Sequence, residues 1–205
     1  MYVPGYSRND NIEEVKSFIK ENSFAILVSN GSNKLHATHI PLELSTNENG
    51  KDILTGHISK ANRQWKNFAD NDRVLVIFNG PHAYVSSSWY DHENVPTWNY
   101  IAVHIYGTIK IIEEEKLLQA LKNLVDRYES KSEKPVSVEK MSEKFLSREI
   151  KGIIGFEIEI EEIHSAYKLS QNRDEKNHAN IVDELKKRGD TNSVAVAEAM
   201  KKRKK

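Results

Sequence analysis

Apolar and polar positions along this chain change period several times, and each change marks an element. Ile12, Val15, Phe18 and Ile19 fall on one helical face, which predicts a helix from Asn11 to Glu21. Asp10 stands at the capping position, and Glu13 three residues later fits a capping box. Phe24–Ser29 is a short apolar run of strand type, closed by a polar turn over residues 30–33 that contains Gly31. Leu35–Leu44 reads as a second strand, with Pro41 marking an edge or a bulge. Ile53–Ser59 is the third, and a short helical link follows over residues 62–69. Arg73–Phe78 is apolar on both faces, so it predicts a central strand. Asn79-Gly80-Pro81 reads as a break, after which Ala83–Ser86 resumes an extended run.

The second half carries the sharpest periodicities. Over Tyr100–Ile112, the residues Ile101, Val103, Ile105, Ile109 and Ile111 share one parity. Tyr100, His104, Tyr106, Thr108 and Lys110 share the other, the alternation of a strand with one buried face. Lys116–Tyr128 predicts a helix whose stripe is Leu117, Leu118, Leu121, Leu124, Val125 and Tyr128, with Glu113, Glu114 and Glu115 at its start, where the helix dipole favours acids. A weaker helical pattern spans Val138–Leu146. Ile153–Ile163 returns to alternation, with Phe156, Ile158 and Ile160 facing one way and Glu157, Glu159 and Glu161 the other. Glu175–Lys187 reads as helix, and Ser193–Lys205 begins as helix and ends in a basic tail.

Strands thus follow one another without regularly intervening helices. That order argues against a doubly wound parallel sheet and for an α+β, mainly β chain: an antiparallel barrel with peripheral helices. The expected division is a barrel domain over residues 1–173, with a helical insertion at about 113–150, and a C-terminal helical segment and tail over 174–205.

Composition narrows the function classes. Thirty Lys+Arg balance thirty Asp+Glu among 205 residues, so the overall basic excess usual in a DNA-binding domain is missing. Any nucleic-acid contact would need a local patch. The absence of cysteine excludes disulfides, thiolate catalysis and Cys-ligated metals. The start MYVPGYSRND does not read as a secretory signal, and the longest apolar runs, Phe24–Val28 and Val74–Phe78, are too short to cross a membrane as a helix. The expected setting is the cytoplasm.

Several stretches could carry chemistry. His36 and His39 stand three apart, so a regular strand points them to opposite faces; they read as one barrel-facing and one surface histidine, and no metal site is expected. Residues 56–63 (GHISKANR) offer a hydroxyl, two cations and an amide where a strand ends, a set suited to a terminal phosphate. An ordinary polar loop would have the same composition. The stretches 84–90 and 95–100 hold Trp89 and Trp98, and their large aromatics suit a pocket, a dimer interface or a barrel plug. Residues 168–173 (KLSQNR) read as a second anion or carbonyl contact, or as a strand end with a turn. The tail Lys201–Lys205 reads as a solvated end rather than a nucleic-acid contact. No hydrolase triad, P-loop or G-x-G-x-x-G is found, and no catalytic residue is assigned.

The stretches LHATHIPLEL (35–44), LTGHISKANRQW (54–65), VLVIFNGPHAYVSSSWY (74–90), VPTWNYIAVHIYGTIKII (95–112), GIIGFEIEIEEI (152–163) and KLSQNR (168–173) resemble the PaiB family, in order, from Met1 to about Lys187. That family is described as FMN-binding-type negative transcriptional regulators. The resemblance implies a split β-barrel like that of pyridoxamine-phosphate oxidases and flavin reductases, paired as a homodimer with flavin in the groove between barrels. By that resemblance Ser59, Lys60, Asn62 and Arg63 meet the flavin phosphate. His36, Thr38, His39 and Ile40 lie along the isoalloxazine. Trp98, Asn99, Lys168, Ser170 and Gln171 reach in from the partner chain. It also implies repression of genes for sporulation and secreted proteases, directly or indirectly.

Three functions follow as expectations: an FMN-binding regulator, a flavin-dependent reductase or oxidase, and a heme-binding split barrel with His36, His39, His57 and His104 as candidate ligands. DNA binding that weakens steeply with salt marks the first. Nicotinamide-dependent bleaching of flavin marks the second, and a Soret band marks the third.

Overall fold

Among the residues that the computed structural model describes (1–31, 33–68 and 72–203), seven strands and five α-helices form. They are α1 (Ile12–Glu21), β1 (Phe24–Asn30), β2 (Leu35–Pro41), β3 (Glu43–Thr46), β4 (Asp52–Ser59), β5 (Asp72–Val85), β6 (Thr97–Ile111), α2 (Glu114–Glu129), α3 (Glu143–Ile150), β7 (Ile153–Lys168), α4 (Glu175–Arg188) and α5 (Thr191–Arg203). The strands form one sheet in the order β2-β1-β5-β6-β7-β4-β3. β1 runs antiparallel to β2 and β5, and β4 runs antiparallel to β3 and β7. The chain divides into two compact units: one of residues 1–22, 78–104 and 164–205, the other of residues 23–77 and 105–163. β5, β6 and β7 contribute residues to both.

The second unit shows why the sheet must roll. β2 and β3 sit at opposite ends of the strand order, yet Leu42 alone separates them in sequence. Only a sheet curled on itself brings its two edges that close. Leu42 is fully buried, and its N–H donates to Ser23 O at 2.9 Å. Leu35–Leu44, expected as a single strand, is therefore two strands with a pivot. Pro41 is the last β2 residue on the β1 ladder, opposite Phe24, and β3 then turns to β4. The rolled face buries Ala25, Leu27, Ile40, Leu54, Ile58, Val76, Ile105, Ile109, Phe156 and Ile158. Each large side chain among them contributes about 1.5–3 kcal/mol by leaving water. Phe68 meets Phe156 edge-on at 5.4 Å between centroids.

α2 covers the outer side of this unit near Gly155, where an added Cβ would lie 2.9 Å from Leu117. Leu117 is buried, but Leu118, Leu121, Leu124 and Val125 are only half-buried, and Tyr128 is exposed with its hydroxyl on Ser23. Ile111, expected on the buried face of β6, is 44% exposed because it lies at the strand's end. The single helix expected over Val138–Leu146 is a 3-10 turn, Val138–Lys140, followed by α3; Ser142 caps α3 by accepting from Phe145 N–H at 3.4 Å, which separates the two.

In the first unit, Asn11 caps α1 rather than Asp10. Its Oδ1 accepts from Glu14 N–H at 3.2 Å, while Asp10 pairs with Arg8 at 3.0 Å. Asn9 Oδ1 accepts from Asn11 N–H at 3.1 Å, and this local turn moves the helix start one residue on. β5 continues through Asn79-Gly80-Pro81 instead of breaking. Gly80 is there for closeness: a Cβ would lie 2.6 Å from the Phe18 ring. β7 extends beyond Ile163 to Lys168 and buries Ala166 and Tyr167. α4 and α5 pack through Ile181, Val182, Leu185, Val196, Ala197 and Met200, and Gly189 joins them at φ 76°. Arg203 secures α5, pairing with Glu14 at 2.9 Å and lying over the Tyr167 ring. Ser32 of the expected turn, Ala69 of the expected helical link, and Lys204 and Lys205 of the basic tail lie outside the described residues.

Candidate functional site

β2 carries the first group of candidate residues, and its pleat divides them. His36, Thr38 and Ile40 face inward, opposite Ser29, Leu27 and Ala25 of β1. His39 faces outward beside Ile26 and stacks against Phe24 with 6.1 Å between centroids. His36 and His39 thus stand on opposite faces. Ile40 is 4% exposed and belongs to the core.

Thr38 is tied to the loop after β4. Its hydroxyl donates to Gln64 Oε1 at 2.5 Å and accepts from Asn62 Nδ2 at 2.8 Å. The loop is further held by local bonds, among them Ala61 N–H donating to Ser59 Oγ at 3.3 Å. Lys60 N–H donates to Gly152 O, Asn62 N–H donates to Ser59 O, and Trp65 Nε1 donates to Lys60 O. The side chains of Ser59, Lys60 and Arg63 face solvent, and no carboxylate among the described residues pairs with either cation. The loop is therefore rigid in its backbone and open in its cations, an arrangement suited to an anion.

The outward face of β2, β1 and β5 is apolar and incompletely covered. His39, Ile26 and Ile77 form one cross-strand row, and Ala37, Val28 and Leu75 the next. Ile26, Val28, Leu75 and Ile77 are half-buried, while Phe24 is 66% exposed.

The other candidates lie in the first unit. Asn99 is fully buried. Its Nδ2 donates to Ser170 Oγ at 3.0 Å, and Ser170 Oγ approaches Asn99 Oδ1 at 3.1 Å. Ser170 adopts φ 59°, a left-handed conformation that this pairing holds in place. Lys168 donates to Thr97 Oγ1 at 2.5 Å, and burial, reinforced by Arg173, keeps its ammonium below its usual pKa. Gln171 accepts from Leu169 N–H at 2.8 Å and donates to Tyr167 O. Trp98 stays 53% exposed beside His82 and Tyr84. Within their units, then, the structure joins Thr38 to Asn62 and Asn99 to Ser170. It leaves Ser59, Lys60, Arg63 and Trp98 to solvent, and it sets His39 and Ile40 apart from the Thr38 cluster. Gln64 and Ser29 are additions that sequence reasoning missed, because one glutamine in a polar loop carries no signal of its burial.

A separate cleft of about 480 Å³ opens between the β3–β4 hairpin and α2. Its sheet side presents Glu43, Thr55, His57 and Glu157, the last paired with Lys110 at 3.1 Å. Burial holds His57 below its ordinary pKa of 6.5. His104 is lowered too, first by burial and then by the N-terminal ammonium and His164. Both therefore bind protons less readily in the folded protein than in the unfolded chain, whose histidines take them up below about pH 6.5, so stability is full above that pH and falls as pH drops through it. Melting temperatures are expected to decline between about pH 7.5 and about pH 5.5, with a shallower decline in His57→Gln. An unchanged slope in that variant would show that His57 is not desolvated.

The chain is 44% identical over 200 residues to "Protease synthase and sporulation protein PAI 2" of Bacillus subtilis, covering 98% of this chain and 96% of the relative. Residues 1–162 also match a family model described as "Putative FMN-binding domain". The chain belongs to the PaiB family. The family match includes the loop with Lys60 and Arg63 and the strand with Trp98 and Asn99, and ends before Lys168.

Solved structures show the fold of this PaiB-family chain to be a split β-barrel. An FAD- and heme-binding protein of Mycobacterium smegmatis aligns with TM-score 0.59 at 13% identity, covering 79% of this chain and 73% of that one. A flavocytochrome of Azotobacter vinelandii aligns with TM-score 0.59 at 18% identity, covering 87% and 78%. Among the described residues, no helix is long and apolar enough to cross a membrane.

Proposed function

We propose that this chain is a homodimeric, cytoplasmic, FMN-binding negative transcriptional regulator, acting directly or indirectly on genes of sporulation and protease synthesis. The observation that carries the flavin part is the pair Lys60 and Arg63: exposed cations without carboxylate partners among the described residues, on a loop whose backbone is fixed. Together with Ser59 they suit a phosphate monoester, and the adjoining face of β2 suits an apolar ring. The half-covered rows of β2, β1 and β5 suit a second copy, whose Trp98 and Lys168 would complete the groove. The regulatory part rests on the Bacillus subtilis relative, whose name associates it with protease synthesis and sporulation.

The deciding experiment is a visible spectrum of the purified protein, followed by FMN titration. A flavin spectrum on a dimer supports this reading, and no binding at micromolar FMN removes the cofactor from it. Direct regulation further predicts sequence-specific DNA binding whose affinity falls steeply with salt. Bleaching of the bound flavin by a nicotinamide donor would favour a reductase instead.

A further inference from the structure

Gln64 lies only 1% exposed where a 3-10 turn, Arg63–Asn67, closes over the β1–β2 pair. Its Oε1 accepts from the Thr38 hydroxyl at 2.5 Å. Its Nε2 faces Leu27 O at 3.2 Å, Ser29 Oγ at 3.1 Å and His36 O at 3.4 Å, three acceptors for two hydrogens. Its backbone N–H donates to Asn62 Oδ1 at 3.1 Å, and Asn62 Nδ2 returns to Thr38 at 2.8 Å. Thr38, Asn62 and Gln64 thus close a ring of hydrogen bonds. In it Thr38 has given its single proton to Gln64, and Asn62 uses both ends of its carboxamide.

We propose that Gln64 is a positioning residue that holds the cationic loop in register with β2, and that Thr38 and Asn62 serve this clamp rather than touch flavin. Lys60 and Arg63 lie on the short stretch between the end of β4 and Gln64. Their placement against β2 therefore depends on where Gln64 is fastened. A buried carboxamide that meets four residues of two strands holds firmly, because every alternative position leaves several polar groups unpaired. The inference rests on the flavin reading above, and it divides the labour: Ser59, Lys60 and Arg63 face the phosphate, while the Thr38–Asn62–Gln64 ring fixes their distance from the strand that carries the isoalloxazine.

The test compares dissociation constants for FMN and for riboflavin, which lacks the phosphate, in wild type, Thr38→Val, Thr38→Ser and Gln64→Leu. Thr38→Val keeps the shape of Thr38 and removes its hydroxyl. It is expected to weaken FMN about tenfold while changing riboflavin less than about twofold, since only the phosphate loop loses its support. Thr38→Ser should restore FMN affinity. Gln64→Leu should match Thr38→Val where it folds, and Thr38→Val carries the test where it does not. Equal loss of both flavins in Thr38→Val would mean that Thr38 touches the ring, and wild-type affinity would mean that the clamp is idle; either overturns this inference alone. A wild-type protein that binds neither flavin, or binds FMN no better than riboflavin, overturns the phosphate reading and this inference with it.

Discussion

Lys60→Ala combined with Arg63→Ala is expected to weaken FMN binding at least about a hundredfold, because each charge-assisted contact to a phosphate is worth about 1.5–3 kcal/mol. Both side chains are exposed and unpaired with any described carboxylate, so their removal strands no buried partner. The melting temperature should therefore barely change. Titration of FMN by fluorescence quenching would measure the effect, and riboflavin would serve as the control. FMN should fall to the affinity of riboflavin in the double variant, and its remaining binding should lose most of its salt dependence. FMN binding as tight as in wild type would place the phosphate elsewhere and remove the observation on which the flavin reading rests.

Gly107→Ala is expected to destabilise the fold by about 3 kcal/mol or more, at or beyond the upper end of ordinary overpacking costs, because the site cannot yield. A Cβ at position 107 would lie 2.1 Å from Glu159 O and 3.0 Å from Ile158 Cγ2. The nearer atom is backbone of β7, the strand beside β6 in the sheet, so no rotamer change can relieve the contact. Gly107 does not have a positive φ, and so the penalty is steric rather than conformational. Gly5→Ala supplies the control, since a Cβ there meets nothing within 4 Å. Urea denaturation of the two variants should separate them by several kcal/mol. A Gly107→Ala protein with wild-type midpoint would mean that β6 and β7 are not packed this closely.

The local periodicities were legible from the chain alone. The alternation over Tyr100–Ile112 and the stripe over Lys116–Tyr128 name β6 and α2, because each depends on neighbours within a few residues. The order of elements named the fold class for the same reason. At Leu42 and Gly80 that reasoning stops. Pro41 marks an irregularity, but nothing within residues 35–44 says that the chain leaves one edge of the sheet for the other. Gly80-Pro81 looks like a turn, and only the Phe18 ring lying against the strand explains the glycine.

The candidate site divides along the same line. Lys60 and Arg63 stood out as cations at a strand end, and the family motifs pointed to them. That no described carboxylate meets them could not be read from a chain whose thirty basic and thirty acidic residues cancel, because which acid meets which base is settled by long-range packing. The same holds for Gln64. In sequence it is one amide in a polar loop; in the fold it is the buried group on which β1, β2 and that loop converge. Residue type and local period determined which elements form and which side chains can bind an anion. Tertiary structure alone decided which of those side chains are spent on one another and which remain for a ligand, since a hydrogen bond between residues far apart in sequence exists only once the sheet has rolled.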